Sequence, residues 1–232
     1  MTLHIISAGA AQSVVQQVIA DWTRRNGADI AVSYGAVGAQ KNKLLDGAPA
    51  DVVILTGAMI DELIASGCIV AGTRADLGAV VGGIAVPKGA AHPDVATPEA
   101  LAAALRASRC IHIPDPAIAT AGAQFIAMCT HLGLAAEVSP KLATFPNGFA
   151  AMTRLAEQHG ARAIGCTQIT EIRYVEGVEL VAPLPRTLQV PTVYALGIAS
   201  RAGDPAAARA FAQCLTGEEV AAMRAAAGFG MG

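Results

Sequence analysis

Leu3-His4-Ile5-Ile6-Ser7-Ala8-Gly9-Ala10-Ala11-Gln12-Ser13 runs directly into Val14-Val15-Gln16-Gln17-Val18-Ile19-Ala20-Asp21-Trp22, and the two parts carry different periodicities. Leu3 to Ser7 is a short apolar run suited to a buried strand. From Ser13 to Arg25, Val14, Val15, Val18, Ile19 and Trp22 return at helical spacing, so a helix follows once the chain has turned at Gly9. Asp29 to Tyr34 then reads as a strand, Gln40 to Asp46 as a short helix and Asp51 to Leu55 as a buried strand. A β-α-β-α-β series of this kind predicts an α/β fold with mostly parallel sheets.

A second series starts after Gly82-Gly83, with a strand over Ile84 to Val86, a helix over Pro98 to Ala107 and a strand over Cys110 to Ile113. It continues with helices from Gly122 to Leu132 and from Gly148 to His159, a strand over Ala163 to Cys166 and a run ending in Val178 to Val181. After Pro191 the chain returns through an apolar strand, Thr192 to Ile198, to a helical tail from Pro205 to Ala227. Asp204 and Pro205 start that tail, Thr216-Gly217-Glu218-Glu219 interrupts it and Gly228 stops it. Two series predict two lobes, and Gly82-Gly83 and the segment around Gln189 to Thr192 are the places where the chain could cross between them.

Composition narrows the function. Hydrophobic residues make up 53% of the 232, charged residues 15% and aromatic residues 4%, so the core is built from small aliphatic side chains. A formal charge of −2 with scattered Lys and Arg gives no footprint for nucleic acid. No apolar run reaches the roughly 18 residues of a membrane span, so no membrane insertion is expected.

Five cysteines, Cys68, Cys110, Cys129, Cys166 and Cys214, are odd in number and without a CxxC pair, as suits reduced thiols. With no basic or apolar leader in Met1-Thr2-Leu3-His4, the expectation is a cytoplasmic protein if Met1 is the natural start, and a periplasmic one if a signal peptide has been removed. No cofactor fingerprint appears, neither GxxxxGK[ST] nor GxGxxG, nor is there a nucleophile elbow or a metal-ligand spacing of His, Cys and Asp.

Three junctions place small residues between a strand end and a helix start: Gly9 to Gln12, Ala36 to Gln40 and Thr120 to Ala123. Such junctions point unpaired backbone N–H groups and the positive end of the helix dipole at one spot, which holds an anion without Lys or Arg.

Several motifs resemble the molybdate-binding branch of the type II solute-binding proteins. They are Ser7-Ala8-Gly9-Ala10-Ala11, Tyr34-Gly35 with its small-residue loop, Gly47-Ala48-Pro49-Ala50-Asp51-Val52-Val53-Ile54-Leu55, and Ile84-Ala85-Val86-Pro87-Lys88-Gly89. Asp115-Pro116 leading to Ala121-Gly122, Ala163-Ile164-Gly165 and Ala206 to Phe229 follow in the family's order, so the likeness spans almost the whole chain. The resemblance implies a two-lobed clamshell, with residues 1–80 and 195–232 in one lobe, residues 83–191 in the other and crossovers near 81–83 and 189–194, a mixed, mostly parallel sheet in each lobe and a small anion held in the cleft.

Family members typically hold the oxyanion with Ser hydroxyls from the first two junctions and a Tyr hydroxyl from the second lobe. The matching positions here are Ala10, then Val37 or Gly38, and Thr167. The expected ligand-binding set is therefore Ala10, Ala11, Gln12, Val37, Gly38, Gln40, Thr120, Gly122, Thr167 and Gln168, whose donors suit a planar di- or tricarboxylate better than a tetrahedral oxyanion.

Gly165-Cys166-Thr167-Gln168-Ile169-Thr170-Glu171-Ile172, followed by Pro183-Leu184-Pro185, resembles a subgroup apart from the molybdate receptors. Aconitate isomerase, an enzyme on a solute-binding scaffold, is similar to that broader group. The resemblance implies an isomerase moving a C=C bond in a carboxylate by proton transfer, or else a non-catalytic receptor of an ABC transporter. Proton transfer needs a base, for which Glu171, Asp115, His112, Lys41 and Lys43 are the candidates, each with an ordinary structural alternative.

Overall fold

A computed structural model describes residues 2–26, 29–158 and 162–230. In chain order the elements are β1 (Leu3–Ala8), α1 (Gln12–Asn26), β2 (Ile30–Gly35), α2 (Val37–Leu45), β3 (Val52–Thr56), α3 (Gly57–Ala65) and β4 (Ala75–Val80). Next come β5 (Gly82–Pro87), α4 (Pro98–Ala107), β6 (Cys110–Pro114), α5 (Thr120–His131), α6 (Ala135–Val138), β7 (Leu142–Phe145) and α7 (Gly148–Ala156). The remainder is β8 (Ala163–Gln168), α8 (Ile169–Tyr174), β9 (Val178–Pro183), β10 (Thr192–Ile198), α9 (Pro205–Thr216) and α10 (Ala221–Ala227). The chain divides into two units, Met1–Val80 with Thr192–Gly232, and Val81–Pro191.

Each unit holds one five-stranded sheet, ordered β2-β1-β3-β10-β4 in the first and β7-β6-β8-β5-β9 in the second. The two share a plan. Three strands run parallel, a fourth (β10 or β5) is antiparallel to them, and the fifth is antiparallel to the fourth. Four of five strands therefore point the same way in each sheet, the mixed, mostly parallel arrangement expected. In both units the reversed strand is the first that the chain forms after entering from the other unit. Helices cover the sheets, and β3 is accordingly buried along its whole length.

The second sheet shows how side-chain size sets helix position. One face carries Ile84, Val86, Ile111, Ile113, Ile164 and Cys166, packed with Leu101, Leu105 and Phe125. On the other, Ala85 and Ala163 stand beside Gly165 with the half-buried Cys110, Phe145, Val178 and Leu180 around them, and Ala151, Met152 and Leu155 of α7 lie over it. A Cβ on Gly165 would come within 2.5 Å of Met152 Cε, so α7 reaches this depth only because the strand is bare there.

Two helices start earlier than expected. α2 begins at Val37 rather than Gln40, the Gln40 N–H already donating to Ala36 O at 2.9 Å. α5 begins at Thr120, with Gly122 inside it: a Cβ on Gly122 would lie 2.1 Å from Pro114 O, so the glycine permits close packing on β6 and does not mark the helix start. α7 ends at Ala156, short of the expected His159, which lies outside the described residues. α3, β4, α6, β7 and α8 are additional to the elements expected.

Asp51, the acid of the Gly47–Leu55 motif, is a structural tie. It is 4% exposed, and its carboxylate accepts from His4 N at 2.7 Å and from Gly203 N at 2.6 Å. Its own N–H donates to His4 O and its C=O accepts from Ala199 N. One residue thus joins β1, β3 and the connection from β10 to α9. Replacing it leaves the partly buried amides of His4 and Gly203 without their acceptor, a loss of up to about 1–3 kcal/mol per group. Asp51→Ala is expected to lower stability by about 2–4 kcal/mol and Asp51→Asn by less, measured by urea unfolding; a loss below about 0.5 kcal/mol for the alanine variant would contradict this role.

Candidate functional site

Every helix begins with amides that lack partners within the helix, and the sequence decides what satisfies them. Side chains do so at α3, where Thr56 accepts from Met59 N, at α4, where Thr97 accepts from Ala100 N, and at α7, where Asn147 accepts from Ala150 N. Asp204 does the same for Ala206 N and Ala207 N at α9. By contrast, the 3₁₀ turn Gly9–Ala11 that leads into α1, and the helices α2 and α5, are preceded by Ala8, Ala36 and Ala119, with no side-chain cap. The three junctions picked out in the sequence are thus three of the open helix starts.

In the first unit, two of these starts are neighbours. Ala8 pairs with Gly35 at the ends of the parallel strands β1 and β2, so Gly9 to Gln12 and Ala36 to Gln40 leave the sheet side by side. Ala10, Ala11 and Val37 are buried, while Gln12 and Gly38 are half-buried. Gln40 is 5% exposed; its Nε2 lies 2.4 Å from where a Cβ on Gly35 would sit, and its Oε1 has no hydrogen-bond partner among the described residues. Glycine at position 35 is what lets this amide fold back over the end of β2.

In the second unit, the C-terminal ends of β6, β7 and β8 lead to α5, α7 and α8. Half-buried Thr120 opens α5. Thr167 and Gln168 close β8 and are fully buried, and Glu171 on α8 is 7% exposed. Thr167 Oγ1 donates to Glu171 Oε2 at 2.5 Å, and the amides of Gly148 and Gln168 donate to the same carboxylate. A Cβ on Gly148 would fall 2.0 Å from Glu171 Oε2 and 2.3 Å from Thr167 Oγ1, so only glycine leaves room for this carboxylate. Burial pushes the Glu171 carboxyl up to about 7, against the three hydrogen bonds, which pull it down.

The other base candidates have ordinary roles. Asp115 accepts from Ala117 N at 2.9 Å and stabilises the turn before α5. His112 is buried and stacked on Phe145 with ring centroids 5.3 Å apart, and burial lowers its pKa. Lys41 pairs with Glu62, and Lys43 donates to Ser33 Oγ at 2.7 Å, both on the exposed surface. Gly148 was absent from the expected set, although Asn147-Gly148 ahead of the apolar run Phe149 to Met152 is a recognisable cap signal. Among the described residues no group of three or more His, Cys, Asp or Glu forms a metal site, and no helix is long and apolar enough to cross a membrane.

The two α/β units share one plan, and each leaves helix starts without a side-chain cap at its strand ends. A family model described as bacterial extracellular solute-binding protein matches residues 3–230, and the chain belongs to that family. That description favours a periplasmic location and gives no support to the cytoplasmic expectation drawn from Met1 and the thiols.

Over 233 aligned residues the chain is 27% identical to an aconitate isomerase from a Pseudomonas species, covering 95% of this chain and 84% of that protein. Its fold is similar to the periplasmic molybdate-binding protein of Azotobacter vinelandii, with a TM-score of 0.80 and 20% identity over 99% of both chains. It is also similar to a sulfate-binding protein of Mycobacterium tuberculosis H37Rv, with a TM-score of 0.72 and 17% identity over 99% of this chain and 86% of that one.

A raised carboxyl makes stability depend on pH. The folded form of Glu171 holds its proton to about 7, whereas the unfolded chain releases it near 4.5. Its contribution is therefore complete below about 4.5 and is lost as pH rises through 7. The wild type is expected to lose on the order of 3 kcal/mol more than Glu171→Gln between pH 4.5 and 8, read from urea melts across that range. Parallel pH profiles for the two proteins would contradict the burial argument.

Proposed function

We propose that this protein binds a small di- or tricarboxylate through its open helix starts and moves a C=C bond in that ligand by proton transfer. The observation that carries the reading is the contrast in capping: α3, α4, α7 and α9 are closed by their own side chains, while the starts at Gly9, Val37 and Thr120 leave amides for an outside anion. Ala10 and Val37 or Gly38 stand where the molybdate-binding branch has hydroxyls, so a tetrahedral oxyanion would lose its side-chain donors. A carboxylate needs fewer donors and takes them in a plane, which backbone amides supply. In the second unit, Thr120 opens an uncapped helix and Thr167 and Gln168 stand at the end of β8. The relative that is an aconitate isomerase aligns over 95% of the chain, which supports catalysis.

The chemistry follows from the donor set. Removing a proton from the carbon beside a carboxylate spreads negative charge onto the carboxylate oxygens, and fixed amide dipoles stabilise that charge more than they stabilise the resting ligand. A second reading is a receptor that delivers an anion to an ABC transporter without changing it. The family's description as extracellular solute-binding proteins favours it.

Proton NMR of the protein with cis-aconitate in deuterated water separates the two. The isomerase reading expects the trans isomer to form and deuterium to enter at the carbon next to a carboxylate. Thermal shifts from the acids with neither product nor exchange would leave the receptor. Tight binding of molybdate or tungstate in calorimetry, with none for carboxylates, would overturn the ligand class.

A further inference from the structure

We propose that Glu171 is the base of the double-bond shift, receiving the proton at one carbon of the ligand and returning it at another. The assignment rests on the isomerase reading above and adds the group that reading lacks.

Three structural observations point to it. Its carboxylate is the one acid among the base candidates that sits with Thr167 and Gln168, the two second-unit residues expected to touch the ligand; Thr167 Oγ1 and the Gln168 amide both bond to it. Capping explains only part of it: Gln168 is the N-cap residue of α8 and Glu171 its third residue, so the bond from the Gln168 amide is the back half of a capping box, whereas the bonds from Thr167 Oγ1 on β8 and the Gly148 amide on α7 are not part of that cap. Nor does hydrogen bonding alone require an ionisable group: a glutamine oxygen would accept from Thr167 and from the Gly148 amide without the cost of burying a charge. The chain nevertheless keeps an acid there and leaves position 148 without a Cβ to make room for it.

The surroundings suit proton exchange. β5, β8, β9 and α7 pack against α8. Of their charged groups, Arg154 pairs with Glu157 and Glu179 with His92 on exposed surface, and Arg173 of α8 itself is exposed. Burial, opposed by hydrogen bonds to Thr167, Gly148 and Gln168, places the Glu171 carboxyl at about 7, so near neutral pH it both accepts and gives up a proton readily.

In the proposed step the Glu171 carboxylate takes a proton from the allylic carbon of the ligand. The C–H electron pair becomes the new C=C bond, and the pair of the old C=C bond forms a C–H bond at its far carbon, with the proton returned by the Glu171 carboxylic acid. No oxidant, reductant or second substrate enters, and the negative charge in between rests on the ligand's carboxylates.

The test uses the full chain, with cis-aconitate as the probe, in deuterated water. Glu171→Gln is expected to keep its thermal shift with cis-aconitate while isomerisation and deuterium entry fall at least a hundredfold. Turnover within threefold of wild type would overturn the assignment and leave the isomerase reading intact. A silent wild type would overturn both.

Should Glu171→Gln fail to fold, the pH profile of the wild type decides. The rate kcat/KM is expected to fall about tenfold per pH unit below about 7, because the base must be ionised. Thr167→Val, which removes a bond holding the carboxyl down, is expected to move that limb to higher pH. Titration of the ligand itself would not move with the variant, so a limb that stays in place, or a flat profile from pH 5.5 to 8, overturns the proposal.

Discussion

The amides in the first turn of a helix must find an acceptor, and that obligation organises both units. Where Thr56, Thr97, Asn147 or Asp204 stands ahead of a helix, the acceptor is covalently part of the chain and the helix start is closed. Where Ala8, Ala36 or Ala119 stands there, the chain offers nothing from a side chain. Parallel strands multiply the effect, since β1 and β2 end at paired residues and release their following segments next to each other. A sheet of this kind concentrates donors at one edge without any basic residue, which fits a chain whose formal charge is only −2.

A second constraint connects packing to chemistry. The face of the second sheet lined by Ala85, Ala163 and Gly165 is low enough for α7 to settle against it, with Met152 and Leu155 filling the space over Gly165. Lowering α7 brings its first residue, Gly148, onto the carboxylate of Glu171. The local position of one acid thus depends on small residues in neighbouring strands, and a larger side chain at Gly165 would disturb the helix before it disturbed the acid.

Much of this was legible in the sequence. The alternation of apolar strands and helical stretches marked the α/β class, and Pro98 to Ala107 and Thr192 to Ile198 are elements with the bounds their punctuation announced. The three open helix starts were visible because alanines and glycines stood where capping residues would stand. What was hidden has physical causes. β7 is four residues long and half-exposed, too short to show alternation. β4 contains Gly78 at φ 134°, and α8 follows β8 with no turn residue between them, so neither announces its boundary. Gly122 read as a helix start because glycine usually punctuates, whereas here it answers to Pro114 O across the sheet, a contact that no local pattern records. The Gly47–Leu55 motif identified the family well, yet its acid serves the scaffold, tying β1 to β3 and to the start of α9 through His4 and Gly203. A motif can be specific because the fold needs it.

The difference between holding an anion and transforming it is small in structural terms. Fixed amides that bind a carboxylate in its ground state bind it more strongly once charge from a broken C–H bond has flowed onto its oxygens, because they need no reorganisation to do so. A binding scaffold of this kind already carries most of the electrostatic stabilisation that carbon-acid chemistry requires. What it lacks is a proton acceptor matched to the working pH, and a carboxyl at its usual value is too weak a base for that task. Burial without a cationic partner is the direct way to raise one, and the cost of burying Glu171 is limited by three donors that keep its ionised form within reach. The same three bonds limit the shift, so the carboxyl stops near neutrality and does not become permanently protonated.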